Sequence, residues 1–305
     1  MKSVKASKKL SPLAIILCVV LSLYVLVMFG LLVWALLTAT KDITYDYLGY
    51  PLPGAVDKTI IPNKIGFPRT FKLFENISRL NTGFADFTLV DMALNTLAYS
   101  VGCSLIKVTV TCVVAYLCAR YNNRFSKITY NVVIVTMIIP VIGSQAMEIQ
   151  VARFLKIYDH IWGMWLMRAN FLGMYFLVFH SVFKSMPDGY YEAARIDGAN
   201  DWQIMCRIAL PLVKFTFLSI FLIIFIEYWN DYLIPNYYLP SHKTLSLAMY
   251  QQSSGQNLNG KVKILLQSAP SLMATALLIS APMILVFGLF SKRLMGNLSV
   301  GGLKG

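Results

Sequence analysis

The chain has 305 residues, of which 57% are hydrophobic and 13% charged, and it carries a formal net charge of +13. Soluble domains average about 25% charged residues, so this composition and a mean hydropathy of +0.62 exclude an ordinary soluble protein and indicate an integral membrane protein. No compact basic face or aromatic platform accompanies the positive charge, so we expect a lipid bilayer around the chain and no nucleic acid as a partner.

Six apolar segments approach the roughly 20 residues that a helix needs to cross a bilayer. They predict an all-α, polytopic membrane protein with transmembrane helices at 13–37, 90–117, 128–146, 161–183, 212–235 and 268–290. The first helix follows a tail, 1–12, that contains four lysines, as a signal peptide would. It is too long for the apolar part of a signal peptide and no A-x-A-like site ends it, so we expect an uncleaved helix.

The segment 38–89 is polar and rich in Pro, Gly and Asn, which predicts an extracytoplasmic loop. The five-helix core, 90–290, follows it. Pro140 and Gly143 lie near the outer end of the third span, where neighbouring groups must satisfy the freed backbone. The stretch 148–160 has the apolar spacing of a short interfacial helix.

Basic residues gather in three places: the tail 1–12, the connection between the second and third spans, and the C-terminal tail 291–305. These regions hold ten lysines and arginines and no acidic residue. Because cytoplasmic loops carry the positive excess, both termini are predicted to be cytoplasmic. With six crossings, the loop 184–211 between the fourth and fifth spans is then cytoplasmic too.

One apparent nucleotide motif is rejected. The segment 255–261, GQNLNGK, fits G-x4-G-K, but Val262 stands where Ser or Thr would hold magnesium, and no strand precedes the segment. The predicted topology also places it outside the cell. We therefore expect a flexible outer loop here, and no enzyme, ATPase, cofactor or metal site in this chain. The five cysteines have the positions of small buried residues rather than of disulfides or metal ligands.

The loop 184–211 has the capping signals of two short helices. Ser185 is a candidate N-cap for a helix over 187–196, which begins with a proline. Gly198 suits the left-handed residue that ends this helix. Asn200 or Asp201 can cap the second helix, through Ile208.

So short a motif cannot cover all of its own apolar side chains. An uncovered apolar patch at a membrane protein's cytoplasmic surface indicates a protein partner; the alternative is an amphipathic loop that merely lies on the bilayer. The side chains concerned are Tyr190, Tyr191, Ala193, Ala194, Ile196, Trp202 and Ile204.

The order of residues in this loop, EAA-x3-G-x9-I-x-L-P, resembles the cytoplasmic coupling loop of ABC importer permeases, and EAARIDGAN is most similar to the sugar-importing, maltose-type branch. Two shorter pieces agree: the sequence YWND at 228–231 resembles the family's W-N-[DE] signature, and the last five residues resemble its Gly-x-x-Lys-Gly terminus. The resemblance implies that ATPase coupling involves Glu192, Ala193, Ala194, Arg195, Asp197, Gly198, Leu210 and Pro211. It implies a C-terminal contact through Gly301, Gly302, Lys304 and Gly305.

The resemblance also implies partners and a mechanism. The chain would be the shorter, six-helix permease of a heteromeric importer in the bacterial cytoplasmic membrane. It would work with a second permease, two cytoplasmic ATPase subunits that bind ATP and Mg²⁺, and an extracytoplasmic sugar-binding protein. Closure of the ATPase pair would switch the permeases between inward-facing and outward-facing states.

Charged and aromatic residues inside the predicted spans are candidates for a substrate path or outer gate, because intramembrane charges are costly and usually functional. The alternatives are structural ion pairs and, for Tyr228 and Trp229, anchors at the membrane interface. The candidates are Lys107, Arg168, Glu227, Tyr228, Trp229, Asn230 and Asp231.

Two other function classes remain open. An importer of amino acids, peptides or metals would share the coupling loop, although the wording of the motifs favours a sugar. A secondary transporter or channel would need no ATPase and would show internal repeats with broken helices at matching positions. We find no such repeats.

Overall fold

The computed structural model describes residues 11–48, 63–84, 87–121, 123–139, 143–256 and 260–298. Every regular element in these ranges is helical and none is a strand, which confirms the predicted all-α class. Two π-helical turns, Ile43–Tyr47 and Met205–Ala209, interrupt the α-helices. The α-helices are α1 (Pro12–Ala39), α2 (Leu73–Gly83), α3 (Leu89–Arg120), α4 (Arg124–Ile138), α5 (Gln145–Phe154), α6 (Ile161–Met167), α7 (Met174–Lys184), α8 (Gly189–Ile196), α9 (Asp201–Ile204), α10 (Leu210–Leu212), α11 (Lys214–Asn230), α12 (Leu233–Tyr238), α13 (Leu245–Ser254), α14 (Gly260–Leu266) and α15 (Ala269–Leu298).

Three predicted spans appear as single helices that are long and apolar enough to cross a membrane: α1, α3 and the Ala269–Phe290 part of α15. Among the described residues, a fourth candidate is the pair Asp201–Leu212 and Lys214–Asn230, which is bent by 71°. The predicted count of six spans and the location of the termini stay predictions.

The other predicted spans are shorter than the sequence indicates. The third ends at Ile138, and Ala146 belongs to α5, because Gly143 turns the chain with a φ of +78°. The fourth is divided into α6 and α7 by the stretch around Gly173, whose φ is +131°. In the fifth predicted span, 212–235, helix α11 ends at Asn230, and α12 follows as a separate helix.

The chain forms two compact units, and the first comprises Met1–Gly83 and Gln252–Leu278. Within it, α1 begins at Pro12 with Ser11 as its N-cap. Its side chains are apolar around the whole helix, and most of them are exposed as far as Leu36. A helix that is apolar on every face suits a lipid or protein environment rather than water.

The loop that follows α1 in the first unit has a polar core of its own. Lys41 is 1% exposed and donates hydrogen bonds to the carbonyl oxygens of Asn63 and Lys64, both at 2.8 Å. Asp46 is fully buried and accepts from the backbone N–H of Arg69 at 3.2 Å. Burial lowers the pKa of Lys41, and the nearby Asp46 opposes that shift. The predicted polar loop is therefore an ordered structure here, and it includes α2, which was not predicted.

The second unit comprises Phe84–Gln251 and Ile279–Gly305 and is organised around α3. Helices α6, α7 and α11 pack against α3, and α4 contacts it as well. The hydroxyl groups of Thr96, Ser100 and Ser104 are buried and each donates to a carbonyl oxygen four residues earlier, at 2.6 Å. Such local bonds satisfy polar side chains inside an apolar setting. Over these residues, α3 therefore faces protein.

The bend before α11 has a local cause. The π-helical turn Met205–Ala209 widens the backbone ladder, and Pro211 supplies no N–H to it. The N–H of Val213 still bonds to the carbonyl oxygen of Ala209 at 3.3 Å, and both side chains are buried. The chain then changes direction by 71° and continues as α11.

Candidate functional site

The loop 184–211 lies in the second unit and forms a short helix, a turn and a second short helix. Its first helix begins later than predicted. Helix α7 extends to Lys184, so Ser185 is the C-cap of α7, and its hydroxyl donates to the carbonyl oxygen of Val182 at 2.8 Å. Asp188 occupies the N-cap position of α8, and Pro187 therefore lies outside the helix. The predicted N-cap role of Ser185 is wrong.

The predicted turn is confirmed. Gly198 has a φ of +79°, and its N–H bonds to the carbonyl oxygen of Arg195 at 3.0 Å. A Cβ on Gly198 would meet nothing within 4 Å, so glycine is favoured here by backbone conformation and not by crowding. Asn200 then caps α9 in a reciprocal capping box with Gln203. The second helix ends at Ile204 and continues as the π-helical turn rather than as an α-helix through Ile208.

Two contacts of Arg120 join this loop to the C-terminal end of α3. Arg120, the last residue of α3, forms an ion pair with Asp188, with 2.6 Å between Nη1 and Oδ1. Its guanidinium also lies 3.8 Å from the ring centroid of Tyr191, a cation–π contact. From the sequence alone, Arg120 contributes only to the positive charge of the connection between the second and third predicted spans. Its partner lies 68 residues away, and no sequence pattern indicates the pairing.

Asp201 on α9 makes two contacts, one with Arg195 on α8 and one with Tyr121, which follows α3. Arg195 Nη2 lies 3.2 Å from Asp201 Oδ1. Hydrogen bonds from Tyr121 and from Arg195 lower the pKa of the Asp201 carboxyl, so it stays ionised at neutral pH. Burial raises the pKa of Tyr121, and the bond to Asp201 raises it further. Arg120, Tyr121, Asn123 and Arg195 line an open cleft of about 440 Å³ beside these groups.

The apolar side chains of the loop divide into two sets. Tyr191, Ala194 and Ile204 are at most 7% exposed and pack inward. The others remain uncovered: Tyr190 is 53%, Trp202 69% and Ile196 86% exposed. We call this exposed surface, together with Glu192 and Ala193, the outer face, where outer means the side of the loop that points away from the rest of the chain and not a side of the membrane. It consists of Tyr190, Glu192, Ala193, Ile196 and Trp202.

Glu192 is exposed on this face and, within the part of the chain that the structure describes, its carboxylate makes no hydrogen bond or ion pair. Asp197 is also exposed, whereas Leu210 is half-buried and Pro211 exposed at the start of the bend. The structure therefore presents an unpaired carboxylate among apolar side chains. The C-terminal residues Gly301, Gly302, Lys304 and Gly305 lie outside the described residues.

The predicted substrate-path residues lie elsewhere in the second unit, on α3, α11 and the end of α6. The hydroxyl of Tyr99, a fully buried side chain, donates to Asp231 Oδ2 at 2.7 Å. The other oxygen of Asp231 accepts from the N–H groups of Leu233 and Ile234, at 3.0 and 3.1 Å, and so holds the start of α12. Asp231 thus has a structural role in addition to any contact with substrate.

Each of the two cationic candidates lies near an aromatic ring. Lys107 Nζ lies 5.7 Å from the ring centroid of Tyr228, which packs edge-on against Tyr99. Arg168 Nη2 lies 3.7 Å from Glu148 Oε2, and its guanidinium lies 5.9 Å from the ring centroid of Tyr238. This ion pair supports the structural alternative for Arg168.

The remaining candidates differ in exposure. Glu227 is exposed and accepts a hydrogen bond from the hydroxyl of Tyr175 at 3.0 Å. Trp229 is 3% exposed, and its indole N–H donates to the carbonyl oxygen of Ile279 on α15 at 3.0 Å. Asn230 is exposed and donates to the carbonyl oxygen of Ile226 at 2.9 Å. The burial of Tyr228 and Trp229 disfavours the alternative that they are interfacial anchors.

Sequence reasoning missed the tyrosines and the acid that complete this cluster, Tyr99, Tyr175, Tyr238 and Glu148. A tyrosine in an apolar helix is a weak signal, since its hydroxyl needs a partner only if it is buried. The described residues contain no group of three or more His, Cys, Asp or Glu that could hold a metal ion. The cysteines are free; Cys103 and Cys112 are buried as expected, whereas Cys18 is exposed.

Comparison with known proteins shows relatives for much of the chain. Residues 111–299 match the family described as "Binding-protein-dependent transport system inner membrane component". The sn-glycerol-3-phosphate transport system permease protein UgpE of Shigella flexneri serotype 5b (strain 8401) is 30% identical over 145 residues, which are 47% of this chain and 51% of that protein. The inner membrane ABC transporter permease protein YcjP of Escherichia coli (strain K12) is 32% identical over 130 residues, 41% of this chain and 42% of that protein. The chain spans about half the length, or less, of these curated relatives.

One solved structure matches nearly the whole chain. It is described as the crystal structure of a bacterial ABC transporter involved in the import of the acidic polysaccharide alginate. The match covers 94% of this chain and 99% of that chain, with a TM-score of 0.71 and 19% sequence identity. The two chains therefore share a fold.

Proposed function

Because the chain belongs to the family of binding-protein-dependent transport system inner membrane components, we propose that it is a permease subunit of an ATP-driven importer of a sugar or oligosaccharide. It moves its substrate by alternating access between inward-facing and outward-facing states. Two separate ATPase subunits supply the energy through the loop 184–211. The permease itself is not an enzyme and holds no cofactor or metal, since ATP and Mg²⁺ bind to the ATPase subunits.

The observation that carries this proposal is the outer face. An exposed patch of aromatic and aliphatic side chains around an unpaired carboxylate suits an interface that a partner covers. The alanine at position 193 lets another backbone approach closely, and Glu192 offers its charge to a basic residue of the ATPase. Arg120 supports the coupling role, because its two contacts connect this face to α3.

The proposed complex has further members. A second, different permease completes the translocation path, and an extracytoplasmic binding protein delivers the substrate. The complex lies in the bacterial cytoplasmic membrane, with both termini of this chain in the cytoplasm. The loop 184–211 carries Glu192, Ala193, Ala194, Arg195, Asp197, Gly198, Leu210 and Pro211 toward the ATPase.

The proposal of a carbohydrate rests on the motif wording and on the relatives. The relatives are named for sn-glycerol-3-phosphate and for alginate, and both of these compounds are rich in hydroxyl groups. In this chain, Lys107, Asp231 and the rings of Tyr99 and Tyr228 lie within one cluster of the second unit. Aromatic rings can pack against the faces of a sugar, and carboxylates can accept hydrogen bonds from its hydroxyl groups. The second permease supplies further contacts of its own.

Copurification tests the proposal directly. The chain is tagged, expressed with the genes that neighbour it, and purified, and the preparation is assayed for ATP hydrolysis with and without the binding protein. We expect an ATPase subunit and a second permease to accompany the chain, and the binding protein to stimulate hydrolysis. Uptake of a panel of labelled sugars and amino acids into vesicles then identifies the substrate class. A homo-oligomer of this chain that transports without any ATPase would refute the proposal, and uptake of amino acids alone would refute its carbohydrate part.

A further inference from the structure

A cavity opens between the inner ends of α4 and α7, both of which contact α3. Its volume is about 230 Å³, and a neighbouring cavity of about 520 Å³ shares three of its lining residues. The two cavities therefore form one continuous groove along α4 and α7. The polar side chains that line it are Ser126, Lys127, Tyr130, His180, Ser181, Lys184 and Ser185.

The groove is positively charged. Lys127 comes from the first turn of α4 and Lys184 from the last turn of α7, and no acidic residue lines either cavity. Within the described part of the chain, neither lysine has an ion pair. His180 lies one turn before Lys184 on α7, and both side chains line the groove. Two uncompensated lysines that face one cavity favour a negatively charged ligand.

The groove also holds polar groups that are not used by the fold. In the described ranges, the side chains of Ser126, Tyr130 and His180 form no hydrogen bond, although Ser126 is only 7% exposed. Packing fixes the two rings: those of Tyr130 and His180 lie 4.8 Å apart, and the ring of His180 stacks on Phe176 at 5.9 Å. Ordered donors without partners are what a bound anion requires.

We propose that this groove binds a phosphate group, carried either by the headgroup of an anionic lipid or by a phosphate free in the cytoplasm. Lysines bind phosphate as point charges, and the hydroxyl groups of Ser126 and Tyr130 supply directional donors. A lipid would place its acyl chains along apolar side chains of the same helices, where Leu177 lines the groove and Ile128 is 60% exposed. The site is distinct from the outer face and does not depend on the proposed transport of a sugar.

The experiment compares the full chain, purified with the subunits that accompany it, in three preparations. These are nanodiscs of phosphatidylcholine, nanodiscs that also contain phosphatidylglycerol, and phosphatidylcholine nanodiscs titrated with inorganic phosphate. Retained lipid is measured by native mass spectrometry, and bound phosphate by the shift in the thermal unfolding midpoint. Each lysine near a membrane surface contributes about fivefold in affinity for an anionic lipid, so we expect the double variant Lys127→Gln, Lys184→Gln to lose about 25-fold.

A matched control is Lys214→Gln. Lys214 is also exposed on the predicted cytoplasmic side, at the start of α11, but it does not line the groove. We expect this variant to bind as the wild type does. Retention of phosphatidylglycerol that is lost only in the double variant identifies a lipid site, and a shift with inorganic phosphate that is lost only in the double variant identifies a site for free phosphate. The proposal fails if neither probe binds the wild type, or if Lys214→Gln weakens binding as much as the double variant does.

Discussion

Arg120 at the C-terminal end of α3 and Asp188 at the start of α8 are joined by an ion pair of 2.6 Å. The arginine side chain is 21% exposed and the aspartate 74% exposed, so water screens the pair. Arg120 gains a second contact from the ring of Tyr191, 3.8 Å away. The same helix α3 carries Tyr99 and Lys107 toward its other end, so one rigid element connects the outer face to the polar cluster of the second unit.

We predict that Arg120→Ala impairs coupling more than Asp188→Asn does. The first change removes both the ion pair and the cation–π contact, whereas the second removes only a screened pair that contributes about 1 kcal/mol or less. Stimulation of ATP hydrolysis by the binding protein measures the effect. Arg207→Ala serves as the control, because Arg207 is exposed on the adjacent π-helical turn and has no ion pair in the described ranges. Equal losses in Arg120→Ala and Arg207→Ala would contradict the prediction.

We predict that Glu192→Lys reduces the rate of transport at least about tenfold, while the chain still inserts in the membrane. Glu192 is exposed, and its carboxylate makes no hydrogen bond or ion pair with the described residues of the chain, so reversing its charge leaves the fold intact and acts on the partner. Glu192→Gln keeps the shape of the side chain and should retain part of the activity. Uptake into vesicles and the amount of ATPase that copurifies are the two measurements. Normal uptake by the lysine variant would exclude Glu192 from the interface.

We predict that Gly198→Pro abolishes transport and that Gly198→Ala weakens it only mildly. Proline cannot adopt the φ of +79° and would remove the N–H that bonds to Arg195. The Cβ of alanine would meet no neighbouring atom within 4 Å. The left-handed backbone conformation alone would cost about 1 kcal/mol of folding free energy. Uptake and protease protection of the loop 184–211 distinguish the two variants. Similar activity in both would show that the turn is not needed in its observed form.

We predict that Asp201→Asn lowers the thermal unfolding midpoint at neutral pH. The pKa of Asp201 is lowered in the folded chain, first by Tyr121 and then by Arg195. A lowered folded pKa means that the stabilisation is present above the unfolded value near pH 4 and is lost as the pH falls through the folded pKa. The difference between wild type and variant should therefore stay constant from pH 8 to about pH 5 and shrink below about pH 4. A variant at Asp197, whose carboxylate makes no hydrogen bond in the described ranges, should show no such difference, and a gap that grows in acid would contradict the assignment.

We predict that Tyr99→Phe destabilises the second unit more than Tyr175→Phe does. Both changes remove a hydrogen bond to a carboxylate, with Asp231 in the first case and Glu227 in the second. Tyr99 is fully buried, whereas Glu227 is exposed and can bond to water instead. The loss at Tyr99 should be about 2 kcal/mol, measured by thermal unfolding in detergent. A larger loss of stability from Tyr175→Phe would contradict the prediction, because the hydrogen bond to Glu227 would then contribute more than the hydrogen bond to Asp231.

The features that the sequence predicts well are those with local causes. The long apolar runs of α1 and α15 and the turn at Gly198 each depend on neighbouring residues alone, so composition and capping signals suffice. The division of the predicted span 161–183 into α6 and α7 has no such signal, because no proline marks it. The ordered core around Lys41 is hidden in a stretch that composition identifies only as polar.

The candidate site shows the same division. The motif from Glu192 to Pro211, and the presence of apolar side chains that the loop cannot cover by itself, could be predicted from the order of residues. The contacts of Arg120 with Asp188, and of Tyr99 with Asp231, join residues 68 and 132 positions apart. No period or spacing specifies such pairs, since they follow from how α3 packs against its neighbours. Burial of Trp229 against α15 depends on tertiary structure in the same way.

The 71° bend at Val213 has a mechanical consequence. A force that acts along the axis of the segment Asp201–Leu212 meets α11 at a steep angle, so most of it acts across α11 and only a minor component acts along it. A force on the segment Asp201–Leu212 therefore tends to rotate α11 about the bend at Val213, which we call the elbow, rather than to push α11 along its own axis. Stiffness at that elbow, set by Ala209, Pro211 and Val213, determines how much rotation reaches α11.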